Sequence, residues 1–140
     1  MELDDLKCAV VLDAELPIGV AANIAAIMGV SLGKRFPVIV GADVYDAEGG
    51  RHAGIVEIPI PVLKATGRDL RDFRTRASSI DEDELAVVDF TDVAQGCKEY
   101  DEYIAKMGST KDAEIAYLGL LIVGKKRTVN KLVGSLPLLR

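Results

Sequence analysis

Residues 7–33 place a short apolar run, a tight loop and a long apolar stretch next to one another. The run KCAVVL at 7–12 predicts a central strand that is covered on both faces. The loop LPIG at 16–19 leads into a helix predicted over 19–32, with Gly33 as its C-cap. A helix N-terminus offers free N–H groups and partial positive charge, so α/β proteins often bind ligands where a strand feeds a helix. We therefore expect an α/β fold with a binding site beside its first helix.

Apolar segments and turn-forming residues alternate through the rest of the chain. Strands are predicted over 36–44 and 51–56, joined as a hairpin by the turn at 46–50. Pro59 and Pro61 make the strand at 57–63 a sheet edge, because both lack an N–H group on the same side. Helices are predicted over 67–77, 93–107 and 126–136, and further strands over 84–90 and 114–123. This order predicts one domain over residues 1–140, a three-layer α/β/α fold with a mixed, mostly parallel sheet and an added β-hairpin.

Composition narrows the possible partners. The chain has 17 basic and 22 acidic residues, a net charge of −5, which argues against a dedicated nucleic-acid binder. Residues 115–140 nevertheless contain five basic residues and no acidic one, so a local basic patch is an open alternative. The chain shows no signal peptide and no apolar run long enough to span a membrane. We expect a cytoplasmic protein without a membrane partner.

The sequence offers little for metal or cofactor chemistry. Its two cysteines, Cys8 and Cys97, fall on apolar faces and are predicted as core thiols rather than a disulfide or metal ligands. No Cys/His cluster has the spacing of a metal site. The chain also has no glycine-rich phosphate loop and no nucleophile elbow. We therefore expect no metal and no cofactor.

Four residues are candidates for a ligand site: Gly19, Asn23, His52 and Lys125. Asn23 lies early in the first helix, where it either orients a carbonyl or carboxylate or bonds a neighbouring loop backbone. His52, the only histidine, follows a Gly-Gly turn and is either a general acid or base or a structurally bonded hairpin residue. Lys125 opens a Lys-Lys-Arg run at the start of the last helix, where cations oppose the helix dipole. Either a bound anion relieves this conflict or the side chains are solvated.

Short segments near the two ends of the chain carry a family likeness. They are Val10-Val11, Glu15-Leu16, Ile18-Gly19 and Ala25-Ala26 near the start, and Leu121–Gly124, Val129–Lys131, Val133-Gly134 and Leu136–Leu139 near the end. Together they resemble the first strand, loop and helix, and the last strand and helix, of the type II peptidyl-tRNA hydrolases. The resemblance implies a three-layer α/β/α domain around a mixed sheet. Three motifs, LPxGxxAN at 16–23, DAxGxxHxG at 46–54 and IPIPVL at 58–63, look still closer to an uncharacterised bacterial subgroup of that fold, a domain of unknown function.

The chain departs from the hydrolases where their chemistry lies. They carry lysines in the loop and first helical turn, as Gly-Lys-Gly-Lys, which are associated with the catalytic cleft and its acidic RNA substrate. Residues 19–22 of this chain read Gly-Val-Ala-Ala instead. The family's active-site Asp follows its third strand, where either Asp89 or Asp92 is the match. The sequence thus predicts divergence from peptidyl-tRNA hydrolysis, and an RNA partner is not expected.

Three functions follow from these observations. The first is the binding of a small anionic or carbonyl ligand in the cleft beside the first helix. The second is an active peptidyl-tRNA or related ester hydrolase, with His52, Asn23 and Asp92 as catalytic candidates. The third is a non-enzymatic, homo-oligomeric interaction domain, because the first helix is apolar on more faces than one sheet can cover. A homodimer is expected.

Overall fold

A computed structural model describes residues 2–140, in which helices cover both faces of one sheet and a small hairpin stands apart. The strands are β1 (Leu6–Asp13), β2 (Val44–Tyr45), β3 (Arg51–His52), β4 (Val62–Ala65), β5 (Leu85–Thr91) and β6 (Tyr117–Lys125). The helices are α1 (Ile18–Arg35), α2 (Gly67–Ser78), α3 (Asp92–Gln95), α4 (Tyr100–Gly108) and α5 (Lys126–Val133). Short 3₁₀ turns lie at Leu3–Asp5, Pro37–Ile39 and Asp112–Glu114.

The main sheet has the strand order β4-β1-β6-β5, and β2 and β3 form the separate hairpin. The predicted mixed sheet with an added hairpin is confirmed. Strands β4, β1 and β5 run in the same direction and β6 runs opposite to them, because β1 is parallel to β4 but antiparallel to β6, and β5 is also antiparallel to β6. The reason is the connection after β5, which stays at one end of the sheet, so that Tyr117 starts β6 opposite Thr91. A chain that does not cross over the sheet must return antiparallel.

The three predicted layers follow from the alternation of side chains along the strands. On β1, Cys8, Val10 and Leu12 belong to the core under α1, whereas Ala9 and Val11 belong to the core under α2 and α5. Helix α1 buries one stripe against the sheet, formed by Ala21, Ile24, Met28 and Leu32. Within the described residues, no helix is long and apolar enough to cross a membrane.

Several predicted elements have different boundaries, as three of them illustrate. Helix α1 runs through Gly33 to Arg35, so Gly33 is not its C-cap. The predicted strand at 36–44 is replaced by a 3₁₀ turn, because Pro37 fixes its own backbone angle and has no N–H for a ladder. The predicted helix at 93–107 is two helices, since α3 ends at Gly96 and α4 begins at Tyr100.

The two edges of the sheet differ in whether another segment of the chain covers them. The predicted edge strand is confirmed as β4, which starts just after Pro61. The C-terminal segment covers it, with Lys64 N donating to Pro137 O at 3.0 Å and Leu139 N donating to Val62 O at 2.9 Å. No other strand of the described chain pairs with the outer edge of β5.

Candidate functional site

The predicted ligand residues lie on different parts of the molecule. Gly19 is in the first turn of α1, beyond the end of β1, whereas Lys125 pairs with Leu6 at the start of β1. Because β1 has 8 residues, its ends lie roughly 23 Å apart at about 3.3 Å per residue. His52 lies on the separate hairpin. The structure therefore does not bring these residues into one site.

Asn23 lies on the outer side of α1, where its side chain is exposed. Ala21 and Ile24, which precede and follow Asn23 in the sequence, belong instead to the buried stripe of α1 that packs on the sheet. Asn23 makes no side-chain hydrogen bond to another described residue. It therefore does not hold the loop backbone, which was one of the two interpretations of this residue.

His52 belongs to a hydrogen-bonded turn in the hairpin. Its Nε2 lies 2.8 Å from Asp46 Oδ2, and both side chains are largely exposed. Asp46 Oδ1 also accepts from the N–H groups of Glu48 and Gly50, each at 2.9 Å. The contact with His52 and these two backbone donors hold the pKa of Asp46 below its usual value. This geometry favours the structural interpretation of His52.

Lys125 faces a carboxylate rather than an empty anion site. Its Nζ lies 3.8 Å from Glu84 Oε1, and Thr128 Oγ1 donates to Glu84 Oε2 at 3.4 Å. Glu84 therefore places negative charge beside the first turn of α5. A carboxylate at that position offsets the conflict between the basic run and the helix dipole.

The two candidate aspartates after β5 have structural partners. Asp92 Oδ1 accepts from Ala116 N at 3.0 Å, and Asp92 N donates to Ala116 O at the same distance. Asp89 Oδ2 accepts from Arg74 Nε at 3.0 Å. No hydrogen bond among the described residues joins Asp92 to Asn23 or His52. The three predicted catalytic residues are thus not hydrogen-bonded to one another.

A groove of about 500 Å³ does lie beside the first helix, but it is not lined by Gly19 or Asn23. It is bounded by α1, β5 and the segment that contains α3 and α4. The residues that line it are Ile27, Met28, Ser31, Arg35, Val87, Val88, Asp89, Phe90, Ala94, Cys97, Lys98, Glu99, Tyr100 and Tyr103. We call this the β5 groove. Its volume falls within the range of small-molecule sites in proteins, roughly 300–1,000 Å³.

The charges of the β5 groove are unequal. Arg35 and Lys98 contribute two cations, and neither forms an ion pair with a carboxylate of the described residues. Asp89 is neutralised by Arg74, so Glu99 is the remaining negative charge among the lining residues. The lining therefore favours an anion over a cation.

Two tyrosines form the aromatic part of the groove. Tyr100 and Tyr103 meet edge to face, with ring centroids 5.5 Å apart. Partial burial raises the pKa of Tyr103, and the charge of Asp89 adds to the effect. The Tyr103 phenol therefore stays protonated at neutral pH and can donate a hydrogen bond.

The outer edge of β5 supplies backbone groups to the same place. Lys125 N donates to Glu84 O, and in an antiparallel ladder the residues that bond the neighbouring strand alternate. Val87 and Asp89 therefore direct their N–H and C=O groups away from β6, toward the edge. These groups bond no other described backbone, and a bound carbonyl or amide can pair with them.

The sequence analysis did not select Arg35, Lys98 or Tyr103 as site residues, because it did not predict the groove that brings them together. The apolar spacing from Val93 to Met107 predicts a single helix with Tyr100 on its buried stripe, whereas Tyr100 is 73% exposed. Gly96, where α3 ends, is the sequence feature that indicates the break. Cys97, predicted as a core thiol, is half-buried at this break, whereas Cys8 is buried as predicted.

Comparison with known proteins gives a family and a fold. A family model described as a protein of unknown function, DUF2000, matches residues 6–140. The chain is similar to a solved structure, the protein of unknown function Atu0240 from Agrobacterium tumefaciens strain C58. That match has a TM-score of 0.86 at 17% identity and covers 96% of this chain and 97% of the other. At that identity the likeness shows the fold alone.

Neither of these descriptions mentions peptidyl-tRNA hydrolysis, so nothing beyond the sequence resemblance links the chain to that activity. Among curated proteins, none matches the chain significantly. The family model, in contrast, spans nearly the whole sequence, from residue 6 to residue 140. The chain therefore belongs to the DUF2000 family.

Proposed function

We propose that this protein binds a small anionic ligand with an apolar or aromatic body, and that it does so in the β5 groove. The observation that carries the proposal is the pair Arg35 and Lys98, two cations that pair with no carboxylate of residues 2–140 and lie in a concave, aromatic-lined space. Both side chains are exposed, so water solvates them, and an anion in the groove would gain charge-assisted hydrogen bonds that are roughly twice as strong as neutral ones. The ligand is proposed to lie in the cleft beside the first helix, as expected, but next to Arg35 rather than Asn23.

The remaining lining residues define the body of the ligand. Ile27 and Phe90 offer apolar contact, and the Tyr100 and Tyr103 rings offer aromatic edges and faces. Aromatic side chains prefer offset or edge-to-face contacts with other rings. The free N–H groups of Val87 and Asp89 suit a carbonyl or carboxylate oxygen. An aromatic carboxylate therefore matches each part of the groove.

Backbone NMR of the ¹⁵N-labelled protein tests this proposal, with benzoate as the probe. Benzoate should shift the amides of Ile27–Arg35 and Val87–Tyr103. Benzyl alcohol, which has a similar shape and no charge, should shift the same amides less at equal concentration. The comparison separates recognition of the anion from general apolar contact.

Two results would contradict the proposal. Equal effects of benzoate and benzyl alcohol would show that the cations do not recognise charge. Benzoate shifts confined to Gly19–Asn23 or to the His52 hairpin would place the site where the sequence first indicated it. In the latter case the β5 groove would not be the ligand site.

A further inference from the structure

The outer face of α1 is apolar and has no partner within the described chain. Ile18 is 90% exposed and Val30 is 77% exposed. The residues between them on this face recur at three- and four-residue steps and are small or uncharged: Gly19, Ala22, Asn23 and Ala26. A helix of a globular protein normally turns its polar side to water. We call this surface the outer face of α1; it adjoins the β5 groove but is distinct from it.

The three glycines in α1 are not required by any close contact among the described residues. At Gly19, Gly29 and Gly33, a Cβ atom would meet nothing within 4 Å. Each glycine nevertheless weakens a helix by about 1 kcal/mol relative to alanine. Their small size is therefore not needed for packing within the molecule. Small residues at these positions would allow the backbone of a second helix to approach closely.

We propose that the outer face of α1 packs antiparallel against the same face of a second copy of this chain. A two-fold axis beside Ala26 sets Val30 against the partner's Ala22 and Gly19 against the partner's Gly33. Val30 then lies opposite a small side chain, and the two backbones can approach closely where Gly19 meets Gly33, which is the complementarity that close helix packing needs. A two-fold interface requires a self-complementary surface, and these pairings provide one.

The charges at the two ends of α1 select the antiparallel arrangement. Glu15 is exposed just before the helix, and Lys34 is exposed in its last turn. In the antiparallel pair each Glu15 lies toward the partner's Lys34, and symmetry repeats this contact. A parallel pair would bring like charges together at both ends. Charge complementarity thus favours a second copy as the occupant of this face.

Sedimentation equilibrium tests the association. The wild-type protein should show a concentration-dependent mass that approaches twice the 15.0 kDa of the monomer. Ala26→Glu places two carboxylates beside the two-fold axis and should raise the dimer Kd by about hundredfold or more. Ala105→Glu is the matched control, because Ala105 is also an exposed helical alanine but lies on α4. It should leave the Kd unchanged, and circular dichroism should show that both variants are folded.

Charge reversal tests the orientation of the pair. Lys34→Glu should raise the dimer Kd by about tenfold, because two attractive contacts become repulsive. Adding Glu15→Lys to that variant should restore the Kd. A mass of 15.0 kDa at all concentrations would overturn the proposal. A dimer unaffected by Ala26→Glu, or a double variant no tighter than Lys34→Glu alone, would also overturn it.

Discussion

At the scale of single residues, the partner of each side chain decides its role. Asp46 accepts from two backbone N–H groups and from His52, which closes the turn of the hairpin. Glu84 meets both Lys125 and Thr128 at the start of α5. In both places a polar residue that could serve a ligand is already engaged by a neighbour. Arg35 and Lys98 differ because no described carboxylate pairs with them.

The first prediction concerns the pKa of Asp46, which the contact with His52 lowers most and the backbone donors lower further. His52→Ala should raise this pKa, though not fully to 3.8, the value of an unperturbed Asp. Arg51→Ala is the control. Arg51 Nε lies 3.7 Å from Asp43 Oδ2, so its removal should leave the pKa of Asp46 unchanged. Carboxyl ¹³C titration by NMR measures both variants. An unchanged pKa in His52→Ala would contradict the assignment.

The same shift fixes the direction of the pH dependence. A carboxyl whose pKa is lower in the folded protein stabilises the fold above its unfolded pKa, and this contribution is lost as pH falls through the folded value. The turn at 46–52 should therefore be fully formed at neutral pH and loosen below about pH 3.8. Chemical shifts of the Glu48 and Gly50 amides report this change.

A second prediction at this scale concerns the thiols. Burial raises the pKa of Cys8 to about 12, so almost none of it is thiolate at pH 8. Cys97 is half-buried and lines the β5 groove. An aromatic disulfide reagent at pH 8 should therefore label Cys97 first and Cys8 only on unfolding, and Cys97→Ser should abolish the fast phase. Equal rates for the two thiols would contradict this description of the groove.

At the scale of elements, hydrophobic period and turn residues predict the order of strands and helices but not their pairing. The runs at 7–12 and 84–90 became β1 and β5, within one residue at each end. The direction of β6 was not predictable, because it depends on whether the segment after Thr91 crosses the sheet or stays at its end. The groove was missed for a different reason. It exists because α3 and α4 are separate helices, whereas their apolar spacing is continuous.

Close backbone contacts give the third prediction. A Cβ at Gly124 on β6 would overlap the Glu84 carbonyl oxygen, and backbone cannot move aside as a side chain can. Gly124→Ala should therefore destabilise the protein by about 1–3 kcal/mol. Gly108→Ala is the control, since a Cβ there meets nothing within 4 Å. Urea unfolding compares the two, and equal midpoints would contradict the packing at β5 and β6.

At the scale of the whole molecule, α1 serves three surfaces at once. One stripe covers the sheet, one flank bounds the β5 groove, and the outer face is exposed. The sequence indicated the importance of this helix, because it is apolar nearly all round. It could not indicate which side of the helix borders a groove, since that depends on where β5 and α4 lie against it. The fold is shared with Atu0240 at 17% identity, so the groove residues have to be tested in this chain itself.

The β5 groove is tested most directly by the Kd of benzoate for the wild-type protein, Arg35→Gln and Arg68→Gln, measured by NMR titration. Arg68 is exposed on α2 and does not line the groove, which makes it the matched control. Loss of the Arg35 charge should raise the Kd by about threefold or more, whereas the Arg68 variant should bind as the wild type does. Equal Kd values for all three proteins would contradict the binding of an anion beside α1.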